Sequence, residues 1–81
     1  MDNTNHFSLT ELAAGDHATV MAFTFGRGVV TRLASLGFTP GALVSMIQNY
    51  GRGPLIVSVR GAQVALGRGE AAKIMVERRL E

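Results

Sequence analysis

The sequence predicts a mainly β fold, a small barrel of about five strands with one short helix inserted after strand one. Three observations carry that expectation. Arg32–Gly41, RLASLGFTPG, reads as a short helix stopped twice and handed to a strand. Gly37 can take the left-handed conformation that closes a helix, Pro40 forbids further helix, and Gly41 lets the chain reverse. Gly53–Gly67, GPLIVSVRGAQVALG, reads as two strands separated by Arg60-Gly61. The chain has 81 residues, which is room for one modest domain. A barrel of this size commonly holds or steers a partner and performs no chemistry of its own.

Taken in order, residues 1–7 are expected to form a flexible N-terminus and residues 8–78 the barrel. Residues 79–81 are a tail, in which Leu80-Glu81 has the look of a cloning scar. Ser8-Leu9-Thr10-Glu11 fits a capping box, with the Ser8 hydroxyl accepting from the Glu11 amide, and Gly15 ends that turn. His17–Phe25 alternates imperfectly and is rich in β-formers, so it is the first expected strand. Gly26-Arg27-Gly28 is a loop. Val29–Leu36 places apolar residues at 29, 30, 33, 34 and 36, the stripe of a short amphipathic helix. Eight residues cannot stand alone as a helix in water, so this one lies across the barrel.

Leu43–Tyr50 is the second expected strand, with Leu43, Met46 or Ile47, and Tyr50 as core candidates. Leu55–Arg60 is the third, with Leu55, Val57 and Val59 on one face. Gln63–Leu66 is the fourth. Residues 69–72 make a tight turn into the fifth, Lys73–Arg78, with Ile74 and Val76 facing in. Five short strands with tight links suit an SH3-like barrel, because closure removes edges that would otherwise aggregate.

Composition bounds the function. Nothing approaches eighteen consecutive apolar residues, so no membrane span is expected. The N-terminus lacks the basic and apolar regions of a secretory signal, and the chain has no cysteine, so a reducing cytoplasm is the expected setting. Charge is unevenly placed. Residues 1–26 carry Asp2, Glu11 and Asp16 without Lys or Arg; residues 27–69 carry Arg27, Arg32, Arg52, Arg60 and Arg68 without an acid. That central net +5 suits an acidic partner surface or nucleic acid. The total charge is only +2, though, and scattered arginines are commonly plain solvated charges.

Little here can build a catalytic centre. His6 sits in the N-terminal segment, and Asp16-His17 are strand neighbours whose side chains point to opposite faces, which does not clamp one ion. Ser35 and Ser45 have no nearby histidine base. Gly26-Arg27-Gly28 and Gly51-Arg52-Gly53 do not continue into the GK[ST] of a phosphate loop. The expectation is no catalytic residue, no cofactor and no intrinsic metal site. Arg32 is the most informative single charge: it lies on a helix whose other face is buried, and its guanidinium can fork onto a partner carboxylate. Its plain alternative is an exposed arginine complementing the helix C-terminus.

Read as an ordered set, the motifs resemble the FeoA family, ferrous iron transport protein A, over about residues 8–78. The resemblance rests on Leu9-Thr10-Glu11-Leu12 with Gly15, on Arg32-Leu33, and on Leu36-Gly37-Phe38 followed by Pro40-Gly41. It continues through Gly53-Pro54-Leu55-Ile56, Arg60-Gly61, Val64-Ala65-Leu66 and Ala71-Ala72-Lys73-Ile74-Met75-Val76. The resemblance implies an SH3-like fold and a cytoplasmic accessory role for the ferrous iron permease FeoB, whose cytosolic portion includes a GTP-binding domain. A related barrel ends the iron- and manganese-dependent repressors; with no helix-turn-helix ahead of it, this chain is similar to the stand-alone protein.

The first functional expectation is therefore an interaction module for a FeoB-type permease. Exposure arguments, not family residues, place its surface on the helix and adjoining loops: Arg27, Val29, Arg32, Leu36 and Phe38, with Arg52 at the rim. The second is a nucleic-acid binder using the arginine-only middle, disfavoured by the near absence of Lys. A metal-linked regulatory module is a third, supported by kinship alone.

Overall fold

In the computed structural model, which describes residues 6–23 and 27–78, antiparallel strands carry the fold. β1 (His6–Ser8) leads into a 3-10 turn at Leu9–Glu11, and β2 (His17–Phe23) precedes helix α1 (Arg27–Ser35). β3 (Leu43–Gln48), β4 (Leu55–Val59) and β5 (Ala62–Leu66) follow, then the helical turn α2 (Arg68–Ala71) and β6 (Ile74–Arg78). The strands form one sheet in the order β1-β6-β2-β3-β4-β5. The order ends at β1 and β5, so two edges remain where full closure was expected to remove them.

The mainly β architecture is the one expected, with one strand more. His6 and Phe7, assigned to a flexible N-terminus, instead pair with Glu77 and Val76 of β6. Phe7 packs against the core, and the Arg78 guanidinium carbon lies 5.0 Å from its ring centroid. Three residues are too few to show a period-two pattern, which is why the strand escapes a reading of the sequence. Ser8 does cap the 3-10 turn, but its hydroxyl accepts from the Thr10 amide at 3.1 Å, not from Glu11. Residues 69–72, expected as a tight turn, belong mostly to α2, and α1 begins at Arg27 inside the expected loop. Thr24 and Phe25, the end of the first expected strand, lie outside the described residues, as do Leu80 and Glu81.

The core lies on one face of the curled sheet. Ala18, Val20, Val44, Met46, Leu55, Val57, Val59, Leu66, Ile74 and Val76 line it from the strands. Leu9, Leu12, Leu33, Phe38, Ala42 and Ala71 close it from the connections, and no described polar residue is fully buried. The expected faces of β4 and β6 hold. That of β3 holds only at Met46, which is buried: Leu43 is 51% exposed, Ile47 45% and Tyr50 76%. Val44 pairs with Val59 and Met46 with Val57, which turns the even-numbered residues inward.

Register shifts explain both irregular strands. In β3 the pairing passes from Met46↔Val57 to Gln48↔Ile56, leaving Ile47 as an extra residue. In β2 it passes from Val20↔Val76 to Ala22↔Met75, leaving Met21. Each bulge moves the inward phase by one residue. Phe23 therefore packs on the core three positions after Val20, which accounts for the imperfect alternation of that strand.

The stop after α1 is a Schellman motif. The Phe38 amide donates to Leu33 O at 3.0 Å and the Gly37 amide to Ala34 O at 3.0 Å, with Gly37 at φ +104°. The motif brings Phe38 onto Leu33, and both are fully buried. Phe38 is thus a core residue, and its expected role as an exposed partner contact is corrected. Pro40-Gly41 then reverse the chain through a turn closed by Ala42 N to Thr39 O at 2.9 Å. Gly37→Ala forces a Cβ into the left-handed region and is expected to cost about 1–2 kcal/mol. Thermal unfolding should register it as a fall in Tm of roughly 4–8 °C per kcal/mol.

Candidate functional site

The expected surface divides when placed on the fold. Arg32, on the solvent side of α1, forms an ion pair with Glu70 of α2; the two side chains are 54% and 30% exposed. It thus ties the inserted helix to the last helical turn across the barrel surface. Its own carbonyl accepts from Ser35 Oγ at 2.7 Å. Leu36 is half-buried against the core, so only its outer part is offered to a partner. Arg52 stands exposed in the loop between β3 and β4. The side chains of Arg27 and Val29 lie outside the described residues. Arg32, Leu36 and Arg52 remain on the surface, while Phe38 leaves it.

Sequence reasoning passed over Asn49, which organises the end of the barrel beside Arg52. Its Nδ2 donates to Thr10 O at 3.0 Å and to Leu12 O at 2.9 Å, joining β3 to the 3-10 turn. Its Oδ1 accepts from the Gly51 amide at 3.0 Å and from an Arg68 Nη2. One amide thus gathers the 3-10 turn, the β3–β4 loop and α2. The bulge at Ile47 makes this geometry, since it returns position 49 to the inward phase. The only sequence signal was an asparagine before Tyr50-Gly51, a common turn composition.

The opposite end is organised by Arg60. It occupies the first position of the two-residue β4–β5 turn at φ 51°, with Gly61 at φ 84°, as a type I′ hairpin requires. Its Nε donates to Gly37 O at 3.3 Å and its Nη2 to Thr39 Oγ1 at 3.0 Å, clamping the connection after α1. On the outer face of the sheet, Leu43, Ser45, Ser58, Arg60 and Gly61 line an open groove of ≈ 370 Å³. His17 Nδ1 lies 2.7 Å from Ser45 Oγ, while Asp16 Oδ2 accepts from Arg78 Nη1 at 2.9 Å. Asp16 and His17 therefore turn to different partners. Among the described residues, no three His, Cys, Asp or Glu converge on a point that could hold a metal ion. No described helix is long and apolar enough to cross a membrane.

These features define a class: a small SH3-like β domain whose charged and polar groups mostly organise its own surface. The comparisons with known proteins then specify the family. The FeoA domain matches residues 7–78, and the chain belongs to the FeoA family. A Methanocaldococcus jannaschii protein named as a candidate Fe(2+) transport protein A is 41% identical over 63 residues, 78% of this chain and 76% of that one. The crystal structure of an iron uptake regulatory protein, FeoA, superposes with a TM-score of 0.87 at 34% identity, covering 91% of this chain and 99% of that one. The zinc complex of Stenotrophomonas maltophilia FeoA, described as an SH3 domain protein, gives 0.77 at 31% identity, covering 86% and 88%.

Asn49→Ala removes two donors from backbone carbonyls and the acceptor for Gly51 and Arg68. An expected loss of about 2 kcal/mol in urea unfolding reflects those unmatched groups. Hydrogen exchange should quicken first at the Gly51 amide. Arg32→Ala, by contrast, breaks an exposed ion pair and is expected to change stability by at most about 1 kcal/mol in the same assay.

Proposed function

We propose that this chain is a cytoplasmic accessory protein of ferrous iron transport, binding the cytosolic part of a FeoB-type permease through its barrel surface. The observation that carries the reading is the FeoA match from residue 7 to residue 78, which takes in nearly the whole described barrel. The contact surface is assigned to the exposed side of α1 and the loops beside it. Arg32 and the outer part of Leu36 lie there and Arg52 stands at the rim; Arg27 and Val29 are included from the sequence alone.

Charge placement weighs against the nucleic-acid alternative. Arg32 and Arg78 are paired with carboxylates, and Arg68 donates to Asn49 Oδ1. A phosphate-binding face needs several cations free to release counterions along a track.

Capture by the tagged protein from detergent-solubilised membranes, with and without nuclease, tests this reading. Recovery of a large GTP-binding iron permease, indifferent to nuclease, is the expected result; nuclease-sensitive capture without the permease would overturn it. Arg32→Glu should weaken capture on the order of tenfold, the equivalent of one charge-assisted pair. Its melting temperature should fall by only a few degrees, since the Arg32–Glu70 pair that it replaces with two carboxylates is partly exposed and screened by solvent.

A further inference from the structure

We propose that the groove on the outer face of β3 and β4 is a recognition site for an extended, carboxylate-bearing protein segment, anchored by Arg60 and walled by Leu43. This deepens the accessory-protein reading and rests on it only for the identity of the partner, since the groove's chemistry is argued from its own residues.

Arg60 is the first ground. A guanidinium offers five N–H donors. Two of them are used, at Gly37 O and Thr39 Oγ1, and those two bonds fix the plane of the group. The remaining N–H groups belong to a cation that no described carboxylate neutralises, since the ion pairs found are Arg32–Glu70 and Arg78–Asp16. No acid occurs anywhere in residues 27–69 to serve it locally. A cation already held in place loses little freedom when a carboxylate arrives, which favours binding.

The second ground is what surrounds Arg60. Ser45 and Ser58 face each other across β3 and β4, and both line the groove with Leu43 and Gly61. His17 Nδ1 lies 2.7 Å from Ser45 Oγ, a hydrogen bond that holds this hydroxyl in place at the groove. Leu43, half exposed, supplies an apolar wall beside the cation. A fixed cation, two hydroxyls and one large aliphatic surface within ≈ 370 Å³ match an acidic side chain next to an apolar one. A nucleic-acid strand is a poorer match. The groove holds a single cation, and Arg68 is directed to Asn49 beyond the far end of β4.

The test uses the intact chain, isotope-labelled, titrated with three probes: acetyl-Leu-Glu-Leu-amide, acetyl-Leu-Gln-Leu-amide and inorganic phosphate. Shifts centred on the amides of Leu43, Ser45, Ser58 and Gly61 are expected for the glutamate peptide, with affinity on the order of millimolar for so short a ligand. The glutamine peptide should bind roughly fivefold more weakly, having lost the charge-assisted bond. Arg60→Gln should erase that preference. Because Arg60 also clamps Gly37, Leu43→Ser serves as a second variant; it should weaken both peptides while leaving the melting temperature unchanged. Absence of shifts in the groove, equal binding of the two peptides by the parent protein, or saturation by phosphate with no response to the peptides would each overturn the proposal. Peptide binding without permease capture would retain the groove and remove only the identity of the partner. Undiminished permease capture by the folded Arg60→Gln protein would retain the accessory role and remove the permease as the groove's occupant.

Discussion

Two extra residues, Met21 in β2 and Ile47 in β3, decide how the rest of the molecule is arranged. A strand that keeps strict alternation presents one set of side chains inward along its length. Each bulge resets that phase partway along, so one strand serves the core at both ends with residues of different parity. In β2 the reset carries Phe23 to the core; in β3 it puts Ile47 outside and returns Asn49 to the inner side, against the 3-10 turn. Bulges also increase local twist, which helps a sheet of short strands wrap around a core that takes in sixteen buried residues among those described.

The parts of this architecture written in local chemistry are readable from the sequence. Gly37, Pro40 and Gly41 announce the end of α1 because each is needed for a backbone conformation that other residues adopt poorly. Gly61 announces a turn for the same reason, although the strand before it was expected to run through Arg60, which instead takes the first turn position at φ 51°; the regular alternation of Leu55, Val57 and Val59 marks the buried face of β4. What resists reading is what depends on partners remote in sequence. The inward face of β3 is set by its register against β4, so an apolar run such as Leu43-Val44 with Met46-Ile47 does not disclose which members point in. β1 exists only because β6 accepts it. Phe38 resembles an exposed aromatic beside a helix end until the Schellman geometry folds it back over Leu33.

The same distinction governs the candidate site. Arg32 and Arg52 are exposed where a helix stripe and a glycine loop say they should be, but the ion pair of Arg32 with Glu70 joins segments 38 residues apart. Asn49 and Arg60 are the polar residues with most structural influence, and neither stands out by type. Each is important for where it ends up: Asn49 at one end of the barrel, Arg60 at the other. Between them they fix the loops that border the sheet's outer face by hydrogen bonds that do not belong to the core.

Tyr50 carries a consequence of its own. It is the single tyrosine of a chain without tryptophan, and it lies 76% exposed, next to Asn49 and just before the glycine-rich loop that holds Arg52. The strongest intrinsic ultraviolet chromophore and emitter in the protein is therefore already in water in the native state. Melting the core changes its surroundings little, whereas a partner settling over that end of the barrel would dry the ring. Its emission would report docking at that end and stay nearly silent on unfolding, an optical label that the fold sets beside Arg52.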